Sequence, residues 1–203
     1  MKIVAEPSFL ITLAVFFIGG DWLYTLLMLT SALIHEAGHL TVMSVLRVRV
    51  RALVLGLFGG TIFLEKKLIS YRREVLISVS GSVFNLLASL IIFFILRQRF
   101  TPLLFFFFLS NALYGIFNLL PISALDGGQA LTALLLMKKE PYEAERLIGL
   151  ISRITLFLLA IAGLYLVKLS SFNISLFVLL LLLYAESTGR HIISGYEFCR
   201  KTS

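Results

Sequence analysis

Apolar runs follow one another along this chain at about 8 to 20, 22 to 46, 75 to 96, 102 to 137, 151 to 168 and 172 to 186, and the short stretches between them carry most of the Lys and Arg. A helix needs about 20 apolar residues to cross the hydrocarbon core of a bilayer. The pattern therefore predicts an all-α polytopic membrane protein with about six transmembrane helices. The first run is short. The fourth is long and is interrupted by Asn118, Pro121 and Gly127-Gly128, residues that break helices. A broken helix at membrane depth lines a cavity or packs against protein, because its freed backbone groups need partners. Between Arg47 and Lys67 the pattern changes. Val48, Val50, Leu53, Val54, Leu55, Thr61, Ile62 and Phe63 favour strands, and Gly56, Gly59 and Gly60 supply a turn. That predicts a small membrane-associated β-hairpin over 48 to 64 at the inner membrane face.

Composition agrees. The 203 residues are 59% hydrophobic and 14% charged, with a mean hydropathy of +0.99, which excludes a soluble globular domain. The net charge of +7 reads as topology rather than as a nucleic-acid footprint, and no nucleic-acid partner is expected. With both termini in the cytoplasm, only Arg97, Arg99 and Lys168 of the 18 Lys and Arg fall on the outer side. That bias is the one the positive-inside rule demands of a multi-pass cell-membrane protein with six spans. Met1 to Gly20 reads as a retained first span, since no small-residue cleavage site follows it. Cys199, alone in the polar tail, excludes an intramolecular disulfide and a cysteine metal cluster.

The second run contains His35-Glu36-Ala37-Gly38-His39. Residues four apart share a helix face, so both imidazoles can reach one ion, and zinc accepts imidazole nitrogen while keeping a position for water. Glu36 stands about 100° further round the helix, where its carboxylate can act as general base on that water. Chance residues packing a helix interface are the bland reading. Two histidines and a glutamate in an apolar span are costly unless they pair or bind something. A third ligand is needed. Asp126 is the only acidic or imidazole group between Thr101 and Met137. At 1.5 Å per residue His39 and Asp126 lie about 12 and about 18 Å from the inner charged edge, a gap that a broken helix shortens. A helix-breaking Asp-Gly turn that caps the following segment is compatible with ligation.

His35-Glu36-Ala37-Gly38-His39 together with Asn118-Leu119-Leu120-Pro121-Ile122-Ser123-Ala124-Leu125-Asp126-Gly127-Gly128 resembles the two signatures of the site-2 protease family of intramembrane zinc metalloproteases. Gly81-Ser82-Val83-Phe84-Asn85 looks like that family's third-span Gly-x-x-x-Asn, with Ser82 where a Pro is frequent. The resemblance implies one zinc ion held by His35, His39 and Asp126, Glu36 as general base, and Asn118 beside the reacting peptide as an oxyanion donor. An Asn before a Pro is also an ordinary helix break, so a packing role for Asn118 stays open. The resemblance covers nearly the whole chain and implies a single transmembrane metalloprotease domain over 1–203, and residues 1–203 leave no room in which to expect a soluble CBS or PDZ domain. Six spans with cytoplasmic ends look like the subgroup typified by the stage IV sporulation protease that processes a sigma-factor precursor.

The implied substrates are membrane proteins or membrane-associated peptides, such as a regulatory factor precursor in regulated intramembrane proteolysis. The edge of the 48 to 64 hairpin could extend such a substrate by strand addition. The acidic cluster Glu140, Glu143 and Glu145 reads as a solvated loop or as a surface for an inhibitory membrane partner, and His191 as a surface residue. A zinc transporter or a non-catalytic zinc-binding scaffold is the rival reading. A transporter has no need of a base beside the histidines, and its ion path would want polar residues along the fifth and sixth spans, which have almost none.

Overall fold

The computed structural model describes residues 2–5, 21–56, 59–64, 69–169 and 184. The first apolar run, all of the sixth but Tyr184, and His191 and Cys199 lie outside these described residues. Within them the chain forms β1 (Lys2–Ala5), α1 (Trp22–Val45), β2 (Val50–Gly56), β3 (Gly59–Leu64), α2 (Tyr71–Leu96), α3 (Pro102–Asn118), α4 (Asp126–Leu136) and α5 (Pro141–Leu169). Among the described residues three helices, α1, α2 and α5 over Pro141–Leu164, are long and apolar enough to cross a membrane, and α3 is a shorter apolar helix. The fourth apolar run is two helices, α3 and α4, with Leu119 to Leu125 between them. The chain divides into two compact units, Met1–Asn118 and Leu119–Ser203.

In the first unit α1 starts at Asp21, whose carboxylate accepts from the Leu23 amide at 2.9 Å, the preferred chemistry for an N-cap. It ends where Arg47 turns left-handed at φ 55. The Arg47 and Val48 amides donate back to the Ser44 and Met43 carbonyls at 3.0 and 2.8 Å, closing the helix and aiming the chain into β2. β2 and β3 pair antiparallel from Val50↔Leu64 to Gly56↔Gly59. β1 adds to the other edge of β2 in parallel register, Lys2↔Ala52 to Ala5↔Leu55, so the strand order is β1-β2-β3. Parallel neighbours need a crossover, and α1 lies within it. A four-residue strand at the chain start carries too little alternation to be read from sequence.

Helices α1, α2 and α3 pack on one another with an inverted polarity. Ser31, His35, His39, Ser78, Ser80, Ser82, Asn85, Ser89 and Asn111 are buried, while Leu33, Leu87, Ile91, Phe94, Leu113 and Ile116 are exposed. In water that arrangement would expose large apolar patches. In lipid it is favourable, since hydrocarbon solvates the outward Leu, Ile and Phe, and small residues let helix backbones approach inside. Gly38 shows how closely: a Cβ there would meet the Ser80 carbonyl oxygen at 2.8 Å and Gly81 Cα at 3.0 Å.

In the second unit the stretch before α4 folds back over that helix's first turn. The Ile122 and Leu125 amides donate to the Leu120 and Ile122 carbonyls at 2.8 Å each. A Cβ on Gly127 would overlap the backbone carbonyl of Leu119, and one on Gly128 that of Ile122, so the Gly-Gly pair is a packing requirement as well as a break. Ser152 of α5 fastens the stretch, accepting from the Ser123 amide at 2.9 Å and donating to the Pro121 carbonyl at 3.4 Å.

The close contact at Gly38 generates a test. Gly38→Ala gains about 1 kcal/mol of helix propensity but forces backbone against backbone, at a cost of about 1–3 kcal/mol. The expected net result is a lower thermal unfolding midpoint in detergent, and a midpoint at or above the parent's would show slack between α1 and α2.

Candidate active site

His35 and His39 lie one turn apart on α1, both buried, with their Nε2 atoms 3.2 Å from each other. Each ring is held from behind by α2. His35 Nδ1 is 2.8 Å from Asn85 Oδ1, and His39 Nδ1 is 2.8 Å from the Ile77 carbonyl oxygen. A backbone carbonyl only accepts, so His39 carries its proton on Nδ1. Asn85 leads to the same result for His35. Its Nδ2 donates to the Ser31 carbonyl at 2.8 Å and to Asn111 Oδ1 at 3.0 Å, which leaves Oδ1, an acceptor, facing the imidazole.

With Nδ1 engaged on both rings, Nε2 is the atom that each offers to the other and to an ion. Two nitrogens 3.2 Å apart in a buried setting are stable with a proton or a metal cation between them. Tetrahedral zinc with Zn–N bonds of about 2.0–2.1 Å requires its two nitrogens about 3.3 Å apart. The pair fits that ion, and the partners on Nδ1 are the kind that hold metal-binding imidazoles in one tautomer.

Space for the ion comes from Gly81 on α2. A Cβ at that position would stand 2.5 Å from His39 Nε2 and 2.8 Å from His35 Nε2, on the side where the nitrogens converge. Tyr114 of α3 closes another side, its ring edge-on to His35 with centroids 5.0 Å apart.

Of the other residues expected from sequence, Glu36 follows His35 on α1 and is half-buried. Asn118 is the last residue of α3, and its Nδ2 donates to the Tyr114 carbonyl at 2.9 Å, so one of its two N–H groups is engaged within its own helix. Asp126 opens α4 in the second unit, an acidic residue in a helix's first turn, where the dipole favours it. Ser31, the Ile77 carbonyl and Asn111 are contributors that motif reading missed. For Ser31 and Asn111 the available signal was their polarity inside apolar runs, with Ser31 one turn before His35, whereas a backbone carbonyl such as that of Ile77 leaves none.

An H-E-x-x-H helix among apolar helices, with both imidazoles bonded at Nδ1, is an arrangement suited to binding a metal ion. Residues 96–162 match the sequence profile of peptidase family M50. A zinc metalloprotease of Methanocaldococcus jannaschii is 27% identical over 158 residues, covering 75% of this chain and 46% of the relative's own length. The chain thus spans about half of that relative. The solved site-2 protease from Methanocaldococcus jannaschii superposes with a TM-score of 0.69 at 24% identity, over 92% of this chain and 89% of that one. The superposition shows that the chain shares the fold of that solved protein.

Gly81→Ala tests the geometry without removing any ligand. The added methyl pushes the two Nε2 atoms out of their converging position, so zinc affinity should fall at least about tenfold while the helices still form. Parent zinc content by elemental analysis on the folded variant would contradict the assignment of the ion to this point.

Proposed function

We infer that this chain is an intramembrane zinc metalloendopeptidase that hydrolyses peptide bonds of membrane proteins or membrane-associated peptides. The observation that carries the inference is the 3.2 Å approach of two Nε2 atoms inside an H-E-x-x-H helix, with a carboxylate one residue after the first imidazole. In this reading His35 and His39 are two zinc ligands and Asp126 is the third. Asp126 is supported by its place in Leu125-Asp126-Gly127-Gly128, at the start of a helix whose preceding stretch is pinned by Ser152, so its carboxylate is offered from a fixed turn.

Zinc, when bound, would polarise the scissile carbonyl and acidify the attacking water. Glu36 takes the proton from that water and returns it to the leaving amine. Asn118 keeps one N–H on the Tyr114 carbonyl and has a second to offer to the developing oxyanion. Helical substrates have their carbonyls already bonded and must be extended before hydrolysis. Among the described residues β3 is an edge strand of the three-stranded sheet, with β2 between it and β1, and its outer edge suits that task. Six spans, both termini in the cytoplasm and a regulatory factor precursor as substrate complete the reading. They rest on the charge bias of the loops and on the family resemblance.

Glu36→Gln is the test. The amide preserves shape and removes the base, so turnover should fall by about 10²–10⁴-fold with zinc content kept. Turnover within about tenfold of the parent at full metal loading would remove Glu36 from the chemistry.

A further inference from the structure

Asn111 is fully buried on α3, in a run of Leu and Phe, with no part in the motifs that mark the site. An amide in such a setting is costly unless its groups are bonded, and here they are bonded in one sense only. Its Nδ2 donates to the Phe107 carbonyl at 2.9 Å and to Ser31 Oγ at 3.0 Å. Its Oδ1 accepts from Asn85 Nδ2 at 3.0 Å. The same Asn85 nitrogen donates to the Ser31 carbonyl at 2.8 Å.

The polarity of this relay is set at its ends by two backbone carbonyls, those of Phe107 and Ser31, which can only accept. Asn111 must therefore turn its oxygen to Asn85, and Asn85 must turn its nitrogen to Asn111 and Ser31. That leaves Asn85 Oδ1 for His35 Nδ1, at 2.8 Å.

We propose that Asn111 is a positioning residue of the metal centre. Through Asn85 it holds the His35 proton on Nδ1, so that Nε2 is the nitrogen offered to zinc. Without the oxygen of Asn111, Asn85 keeps a single anchor on the Ser31 carbonyl, and its amide can turn its N–H groups toward His35. That orientation stabilises the Nε2–H tautomer, whose proton occupies the metal's approach. The proposal deepens the reading of His35 as a zinc ligand and rests on it. Its primary readout, however, is a tautomer in the metal-free protein, which does not depend on zinc or on proteolysis.

The experiment is 15N NMR of histidine-labelled, metal-free full-length protein in lipid, with ring signals assigned by difference against His35→Gln, His39→Gln and His191→Gln. In the parent, both His35 and His39 should show a protonated Nδ1. In Asn111→Leu, His35 should lose its Nδ1–H signal while His39, anchored on the Ile77 carbonyl, stays unchanged, and zinc Kd should rise by about 10–100-fold. Asn111→Asp keeps an oxygen that accepts from Asn85 and should restore both the tautomer and zinc affinity to within a few-fold of the parent. An unchanged His35 tautomer in Asn111→Leu overturns the proposal. So does a simultaneous change of both rings, which would make Asn111 a packing residue. A parent that shows both tautomers as expected but takes up no zinc would instead defeat the metalloprotease reading and leave the relay standing.

Discussion

Everything at the site depends on the hydrogen bonds that α2 makes to the backs of the two imidazoles. In water a histidine can exchange its ring proton and reorient at little cost, and a pair of them four residues apart on a helix would bind zinc only weakly. Inside an apolar bundle the alternatives are removed. Ile77 offers His39 a carbonyl, Asn85 offers His35 an amide oxygen, and both acceptors require the proton on Nδ1. The two Nε2 atoms are then held 3.2 Å apart, a spacing that suits a cation between them. Affinity for the metal is thus stored in the folded bundle rather than in the motif alone.

That arrangement is possible only because the helices approach closely. Gly38 lets the Ser80 and Gly81 backbone lie against α1, Gly81 leaves room at the converging nitrogens, and Gly115 admits the Ser82 carbonyl beside α3. Larger residues at these points would move α2 outward and lengthen the contacts to His35 and His39 together. The bilayer tolerates such an interior because the outward faces of α1, α2 and α3 carry the bulky apolar residues, while the inward faces satisfy one another. Each buried amide in the Ser31–Asn85–Asn111 group has named partners. In hydrocarbon, satisfied groups of that kind act as a specific fastening between helices.

Much of this was legible before any coordinates. The apolar runs at 22 to 46 and 75 to 96 correspond to α1 and α2, and the Pro121 and Gly-Gly punctuation marked the interruption between α3 and α4. Those signals are local, set by residue type over one or two turns. The H-E-x-x-H spacing was equally local and needed only helical periodicity to place both imidazoles on one face. What could not be read was everything that depends on which helix lies beside which. Asn111 lies 80 residues beyond Ser31 and Asn85 lies 50 beyond His35. No periodicity links them, and a lone Asn in an apolar run looks the same whether it faces lipid, a cavity or a partner. β1 was missed for the related reason that its identity as a strand comes from pairing with Ala52 to Leu55, across the whole length of α1.

The central proposal is that one zinc ion is held by two imidazoles and one carboxylate, with His35, His39 and Asp126 as the ligands. X-ray absorption at the zinc edge, on purified protein loaded with one equivalent of metal, addresses it most directly. The account predicts two imidazole nitrogens at about 2.0–2.1 Å and oxygen ligands at about 2.0–2.2 Å. It also predicts that Asp126→Asn weakens the oxygen shell and the metal occupancy while the imidazole signal from the remaining bound zinc persists. A third imidazole in the parent, or a spectrum and occupancy unchanged in Asp126→Asn, would contradict the ligand set and place the third ligand elsewhere in the chain.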